Sequence, residues 1–230
     1  MIFSRGRGNQ RRHSQDEPDD GGLGGRPVGD PQADADDTDP SDIPEFGPYD
    51  VTQVRRGGDF LDLGALRIPA TPGVEIHIQA GPEGQVQQIM LQHGQDRLQL
   101  GAFAAPRSEG IWDEVRAALA TSLLAAGAKT EEIEGDYGRE LCGRVREGST
   151  VTEVRHIGVD GPRWFLHAIF IGPAADPAKA GILRDVLRGL VVDRGTEARP
   201  VSEALPLRLP PEAAAQLSAE AGQDPHSEAT

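Results

Sequence analysis

The sequence predicts an α+β domain, a mostly antiparallel sheet with two amphipathic helices packed on it. Three observations carry this. A strand, proline-break and helix unit occurs twice, as Leu98 to Ala104, Pro106 and a helix from about Gly110, then as Arg163 to Ile171, Pro173 and a helix from about Pro177. Each copy follows a run of short alternating segments whose connections are too short for parallel crossovers. The segment Trp164 to Ile171 is apolar on both faces, which calls for a packed layer on each side. The result is a pseudo-duplicated ββββα order.

Each element can be justified in turn. Leu61 and Leu63 alternate, Gly64 interrupts, and Leu66 and Ile68 resume on the shifted phase, as in a bulged or bent strand. Val74, Ile76 and Ile78 alternate with Glu75, His77 and Gln79, giving a half-buried strand with a wet face. Gly81-Pro82-Glu83-Gly84 turns the chain into a strand over Val86 to Gln92. After Leu98 to Ala104, Ser108 is read as the cap of the first helix, with Asp113 and Glu114 in its first turn and Gly127 as its stop. Its stripe runs through Ile111, Trp112, Val115, Ala118, Leu119 and Leu123, at ~1.5–3 kcal/mol for each large side chain buried.

Strands around Thr130 to Glu134, Gly138 to Arg146 and Val151 to Val159 come next, and Asp160-Gly161 signals a hairpin into Arg163 to Ile171. Asp176 is read as the cap of the second helix, with Pro177 in its first turn and Ile182, Leu183, Val186, Leu187 and Leu190 buried. Val191 and Val192 suggest a short last strand. The chain thus divides into an acidic, disordered N-terminal tail (1–58), one α+β domain (59–195) and a mostly disordered C-terminal tail (196–230).

At 230 residues, 37% apolar and 26% charged, the chain has room for one core. His13 to Asp50 holds twelve acids and one base, Arg26, so this stretch repels itself and stays solvated. Arg5, Arg7, Arg11 and Arg12 ahead of it read as a solvated terminus. The net charge of −14 disfavours nucleic acid as a partner, because Lys and Arg on phosphates supply most non-specific affinity. Cys142 is the sole cysteine, so no intramolecular disulfide can form. With no signal sequence and no run of about eighteen apolar residues, a soluble cytoplasmic protein is expected.

The element order resembles the PsbP-like α/β/α sandwich over residues 59–195. A closer resemblance lies in the blocks Phe103 to Arg116 (FAAPRSEGIWDEVR), Gly158 to Leu166 (GVDGPRWFL) and Pro206 to Pro210 (PLRLP). These are similar to an actinobacterial family catalogued as domain of unknown function 3710. The resemblance spans most of the chain, including its acidic N-terminal part, and implies no activity.

Arg107 and Ser108 stand at a helix start, where N–H groups hold a carboxylate or phosphate, and Arg163 and Trp164 occupy the matching place in the other half. With Trp112 they form the candidate site for a small anionic or amphipathic ligand. The plainer account makes Ser108 a cap, pairs Arg107 with Glu109 or Asp113, and puts both tryptophans in the core.

His156 and His167 become diagonal neighbours if Asp160-Gly161 is a two-residue turn, and part if the turn is one residue longer. Two ligands fall short of what zinc takes, so no metal is assigned. Glu131, Glu132, Glu134 and Asp136 read as a solvated face, and no Gly-x-Ser-x-Gly elbow is present. The expected function is a non-enzymatic binding or adaptor domain without cofactor, its tails reaching a protein partner. The alternative is a small-molecule binder or enzyme using the Arg107 and Trp164 region.

Overall fold

Strand alternation builds two sheets in the computed structural model, which describes residues 44–54, 57–80, 86–148 and 150–210. The expectations for residues 1–43 and 211–230, and for the Gly81 to Gly84 turn, lie outside the described residues. In chain order the strands are β1 (Tyr49–Asp50), β2 (Phe60–Asp62), β3 (Leu66–Pro69), β4 (Glu75–Ala80), β5 (Val86–His93) and β6 (Asp96–Ala104). Helix α1 (Trp112–Ala125) precedes β7 (Lys129–Gly135), β8 (Gly138–Glu147), β9 (Thr150–Gly161) and β10 (Trp164–Ile171). Helix α2 (Gly181–Gly189) and β11 (Val191–Val192) follow. The large sheet has the order β4-β5-β6-β10-β9-β8-β7 and is antiparallel throughout. The small sheet has the order β1-β11-β3-β2, with β1 parallel to β11.

The two strand-to-helix units meet at the centre, where β6 pairs with β10 so that Ala104 lies opposite Trp164 and Leu98 opposite Phe170. Alternation along β10 then decides what each face carries. Trp164, Leu166, Ala168 and Phe170 pack with Leu98, Leu100, α2 and the small sheet. Phe165 packs the other way, against Ile111 and Trp112. The two-sided apolarity of this strand therefore reflects a layer on each face, and the fold is α+β with two helices on a mostly antiparallel sheet.

Helix α2 is only nine residues long, and Leu183, Val186 and Leu187 are fully buried. Helices this short are marginal alone, so tertiary burial holds it. Helix α1 is bound more lightly than its stripe suggests: Trp112 and Arg116 are buried, Val115, Leu119 and Leu123 only partly, and Ala118 is exposed.

Several local expectations are corrected. Leu61 to Ile68 is not one bent strand. Gly64, at φ 82, reverses the chain and makes β2 and β3 an antiparallel hairpin in the small sheet. The first half thus gives the large sheet three strands and the second half gives four. Ser108 does not cap α1, because the helix starts at Trp112, beyond its reach. Ile111 N and Trp112 N donate instead to Asp160 Oδ1 and Oδ2, at 2.9 and 3.3 Å. Asp176 does not cap α2 either. A 3₁₀ turn at Pro173–Ala175 intervenes, Asp176 accepts from Ala178 N at 3.0 Å, and the helix begins at Gly181.

The packed region also extends beyond 59–195. At the front, Gly47 N and Tyr49 N donate to Arg188 O and Leu190 O, both at 2.8 Å, seating β1 beside β11. At the back, Ala104 N donates to Glu203 O, Leu205 N to Ala102 O and Arg208 N to Leu63 O, all within 2.9 Å. Leu205 is fully buried. Main-chain bonds hold these stretches, and such bonds leave no hydrophobic period in a sequence rich in charge and proline.

Candidate functional site

The five candidate residues do not form one pocket. Trp112 stacks on Phe165 with ring centroids 6.0 Å apart, and its Nε1 donates to Arg139 O at 2.6 Å. Trp164 faces the opposite side of the sheet, and its Nε1 donates to Asp50 Oδ2 at 2.7 Å. Each indole lies against a glycine, Gly158 for Trp112 and Gly161 for Trp164, where a Cβ would fall inside the ring. Arg107 and Ser108 are exposed in the loop before α1, and Arg163 holds the β9–β10 turn at φ 61. Ala105 N donates to Arg163 O at 3.0 Å, so loop and turn share one end of the sheet.

The histidines do meet. The turn falls at Pro162-Arg163 rather than Asp160-Gly161, which places His156 opposite Ile169 and His167 opposite Gly158. The register moves by an even step, so parity is kept and both rings stay on the α1 face. His156 Nδ1 and His167 Nε2 are 3.1 Å apart, and the rings stack. Burial lowers the pKa of both, and His167, repelled also by His156, is lowered to about 4. At pH 7 the pair is neutral, one ring donating to the other. Among the described residues no group of three His, Cys, Asp or Glu could hold a metal ion.

Glu140 and Arg155 form a buried ion pair, with side chains 1% and 5% exposed and 2.8 Å between Arg155 Nη1 and Glu140 Oε2. The Arg155 guanidinium lies 4.7 Å from the centre of the Phe170 ring. Burial raises the carboxyl pKa of Glu140 while Arg155 opposes the rise. Cys142 sits beside Arg155 across the strands, half-buried, and burial raises its thiol pKa, so at pH 7 it is a protonated thiol.

A cleft of about 420 Å³ opens beside Trp164. Phe46, Pro48, Tyr137, Val159 and Pro162 line it together with that indole. Phe46 meets Tyr137 edge to face at 5.7 Å, and the Tyr137 hydroxyl donates to Gly47 O at 2.7 Å. Burial pushes the Tyr137 pKa up, so the phenol keeps its proton. Arg188 lies 4.5 Å from the centre of the Phe46 ring and donates to Asp136 at 2.7 Å, which fixes that wall. Phe46, Pro48 and Asp50 belong to the stretch whose charge reads as tail. One signal could have singled them out: Phe46 and Tyr49 are the only aromatic residues between Ser4 and Asp59.

A second depression, of about 600 Å³, lies over β7, β8 and β9 beside Ala175 and Pro177. Its lining mixes both signs, Lys129 and Arg144 with Glu131, Glu153 and Asp176, and Arg144 pairs with Glu153 at 3.2 Å. It favours neither sign of ligand.

Residues 47–216 match the family described as "Protein of unknown function (DUF3710)". No curated protein matches the chain. Among solved structures, the chain is similar to a crystal structure from Bacteroides thetaiotaomicron VPI-5482, with 12% identity and a TM-score of 0.40. That likeness covers 76% of this chain and 65% of the other, so the chain spans about two thirds of its length. The solution structure of cyanobacterial PsbP (CyanoP) from Synechocystis sp. PCC 6803 is similar at 13% identity and a TM-score of 0.36, over 56% of this chain and 86% of that one.

Proposed function

We propose that this chain, which belongs to the DUF3710 family of proteins of unknown function, is a non-enzymatic binding domain whose ligand site is the cleft beside Trp164. The cleft itself carries this reading. It is concave, mostly apolar, and fixed in shape by hydrogen bonds from Tyr137 to Gly47 and from Trp164 to Asp50. The polar groups best placed for chemistry already have structural work. Glu140 neutralises Arg155, Asp160 caps α1, Asp50 holds the Trp164 indole, and the two histidines bond each other.

A second reading keeps Arg107, Ser108 and Arg163 as an anion-binding end of the sheet. It is supported by the bond from Ala105 N to Arg163 O that joins the loop to the turn. In both readings the acidic stretch from Asp16 to Asp42 serves as a tether or contact for a protein partner, in an actinobacterial, cytoplasmic setting. No helix of the described residues is long and apolar enough to cross a membrane.

A ligand-observed NMR fragment screen on the full chain, with hits mapped by amide shifts, tests this. Hits that move Tyr137, Val159 and Trp164 are the expected result. Hits confined to Arg107, Ser108 and Arg163 would replace it with the second reading, and a screen with no hit at either place would remove both.

A further inference from the structure

The residues of the cleft also specify a charge. Its lining includes three carboxylates, Glu45, Asp136 and Asp160, and no Lys, Arg or His among the described residues. The remainder is largely ring and hydrocarbon: Pro44, Phe46, Pro48, Tyr137, Pro162 and Trp164. Carboxylates around aromatic faces make a site for a cation with an apolar body, because the ring quadrupole and the negative rim attract the same charge. The wall already holds one such cation of its own: the Arg188 guanidinium sits over the Phe46 ring and bonds Asp136.

The three carboxylates are not equivalent. Asp136 is engaged by Arg188, and Asp160 accepts the N–H groups of Ile111 and Trp112. Glu45 is exposed at the rim, joined to the ring wall through the adjoining Phe46. We infer that the cleft beside Trp164 binds a small organic cation carrying an apolar body, an alkyl- or aryl-ammonium or guanidinium group, with Glu45 as its counter-charge and the Phe46, Tyr137 and Trp164 rings as its walls. This deepens the binding reading given above and rests on it.

The chain supplies its own control, since its two tryptophans lie on opposite faces of the sheet and only Trp164 lines the cleft. The two indole N–H resonances of the ¹⁵N-labelled full chain, assigned with Trp112→Phe, would be followed during titration with benzyltrimethylammonium. Benzoate and benzyl alcohol would be titrated in parallel at constant ionic strength. The expected result is a saturable shift of the Trp164 resonance with benzyltrimethylammonium and an unmoved Trp112 resonance. Glu45→Gln should weaken that binding about three- to fivefold and leave the melting temperature unchanged. If benzoate or benzyl alcohol binds as tightly as the cation, the cation assignment is overturned while the cleft stands as a binding site. If none of the three moves Trp164, or if both indoles move together, the cleft reading fails with it.

Discussion

The indole N–H of Trp164 ends on the carboxylate of Asp50, 2.7 Å away in space and 114 residues away in sequence. The same carboxylate accepts from Thr52 N at 3.0 Å and Thr52 Oγ1 at 2.7 Å, and the Asp50 backbone N–H donates to Gln53 Oε1. One buried aspartate therefore joins a short acidic segment to the centre of the large sheet. A buried hydrogen bond to a charged group contributes about 1.5–3 kcal/mol. Asp50→Ala should lower unfolding stability by about 2–3 kcal/mol in urea titrations, and Trp164→Phe should lose part of the same energy. Because the two share one bond, the double variant should lose less than the sum of the singles. Strict additivity would show that the bond contributes nothing.

The start of α1 offers a contrast between a local and a distant cap. Asp160→Ala removes the acceptor for Ile111 N and Trp112 N and should cost about 1 kcal/mol. Ser108→Ala touches an exposed side chain outside the helix and should stay within about 0.5 kcal/mol of wild type. The reverse order of the two losses would return the cap to Ser108.

Gly158 and Gly161 let an indole rest on each face of β9, and a methyl group at either site meets the ring rather than a flexible chain end. Gly158→Ala and Gly161→Ala should each destabilise by about 1–3 kcal/mol, the cost of overpacking a filled core. Near-ultraviolet circular dichroism should show the indole signal altered in both. Wild-type spectra and melting curves would mean that the rings lie elsewhere.

The histidine pair makes stability depend on pH with a definite sign. An unfolded His167 takes its proton near 6.5 and the folded one only at about 4, so between these values the unfolded chain binds the extra proton. Stability should therefore be complete above about pH 6.5 and decline as pH falls towards 4, by on the order of 3 kcal/mol at ~1.4 kcal/mol per unit. His156, lowered in the same direction by burial, adds to the decline. The acid slope of the variant His156→Gln/His167→Gln, measured by urea unfolding across this window, should be flatter than that of wild type. Equal slopes would assign the acid sensitivity to the carboxylates.

What could be read in advance follows from where the information resides. The central place of β10 was legible because Trp164 to Ile171 is apolar at every register position but one, His167. The buried stripe of α2 was legible because Leu183, Val186, Leu187 and Leu190 follow the helical period. The small sheet was legible only in pieces: Val191 and Val192 read as a short last strand, but β1 is two residues in an acidic run and leaves no period that would pair it with them. The cap of α1 was hidden for a different reason: its acceptor lies 49 residues downstream and depends on tertiary placement. The histidine contact could be framed in the sequence but not decided, since one residue in the turn would have parted the rings. The walls of the cleft were hidden by composition. An acidic, proline-rich run argues for solvation, and only Phe46 and Tyr49 argue against it.

The central claim is that residues 44–50 are a built-in part of the fold and form one wall of the cleft beside Trp164. Hydrogen exchange of the full chain tests it most directly, at the Gly47 and Tyr49 amides bonded to Arg188 O and Leu190 O and at the Trp164 indole N–H bonded to Asp50. The three should be protected to the same degree as the amides of β3 in the sheet they join. Exchange of Gly47 and Tyr49 at the rate of an unstructured peptide would contradict it.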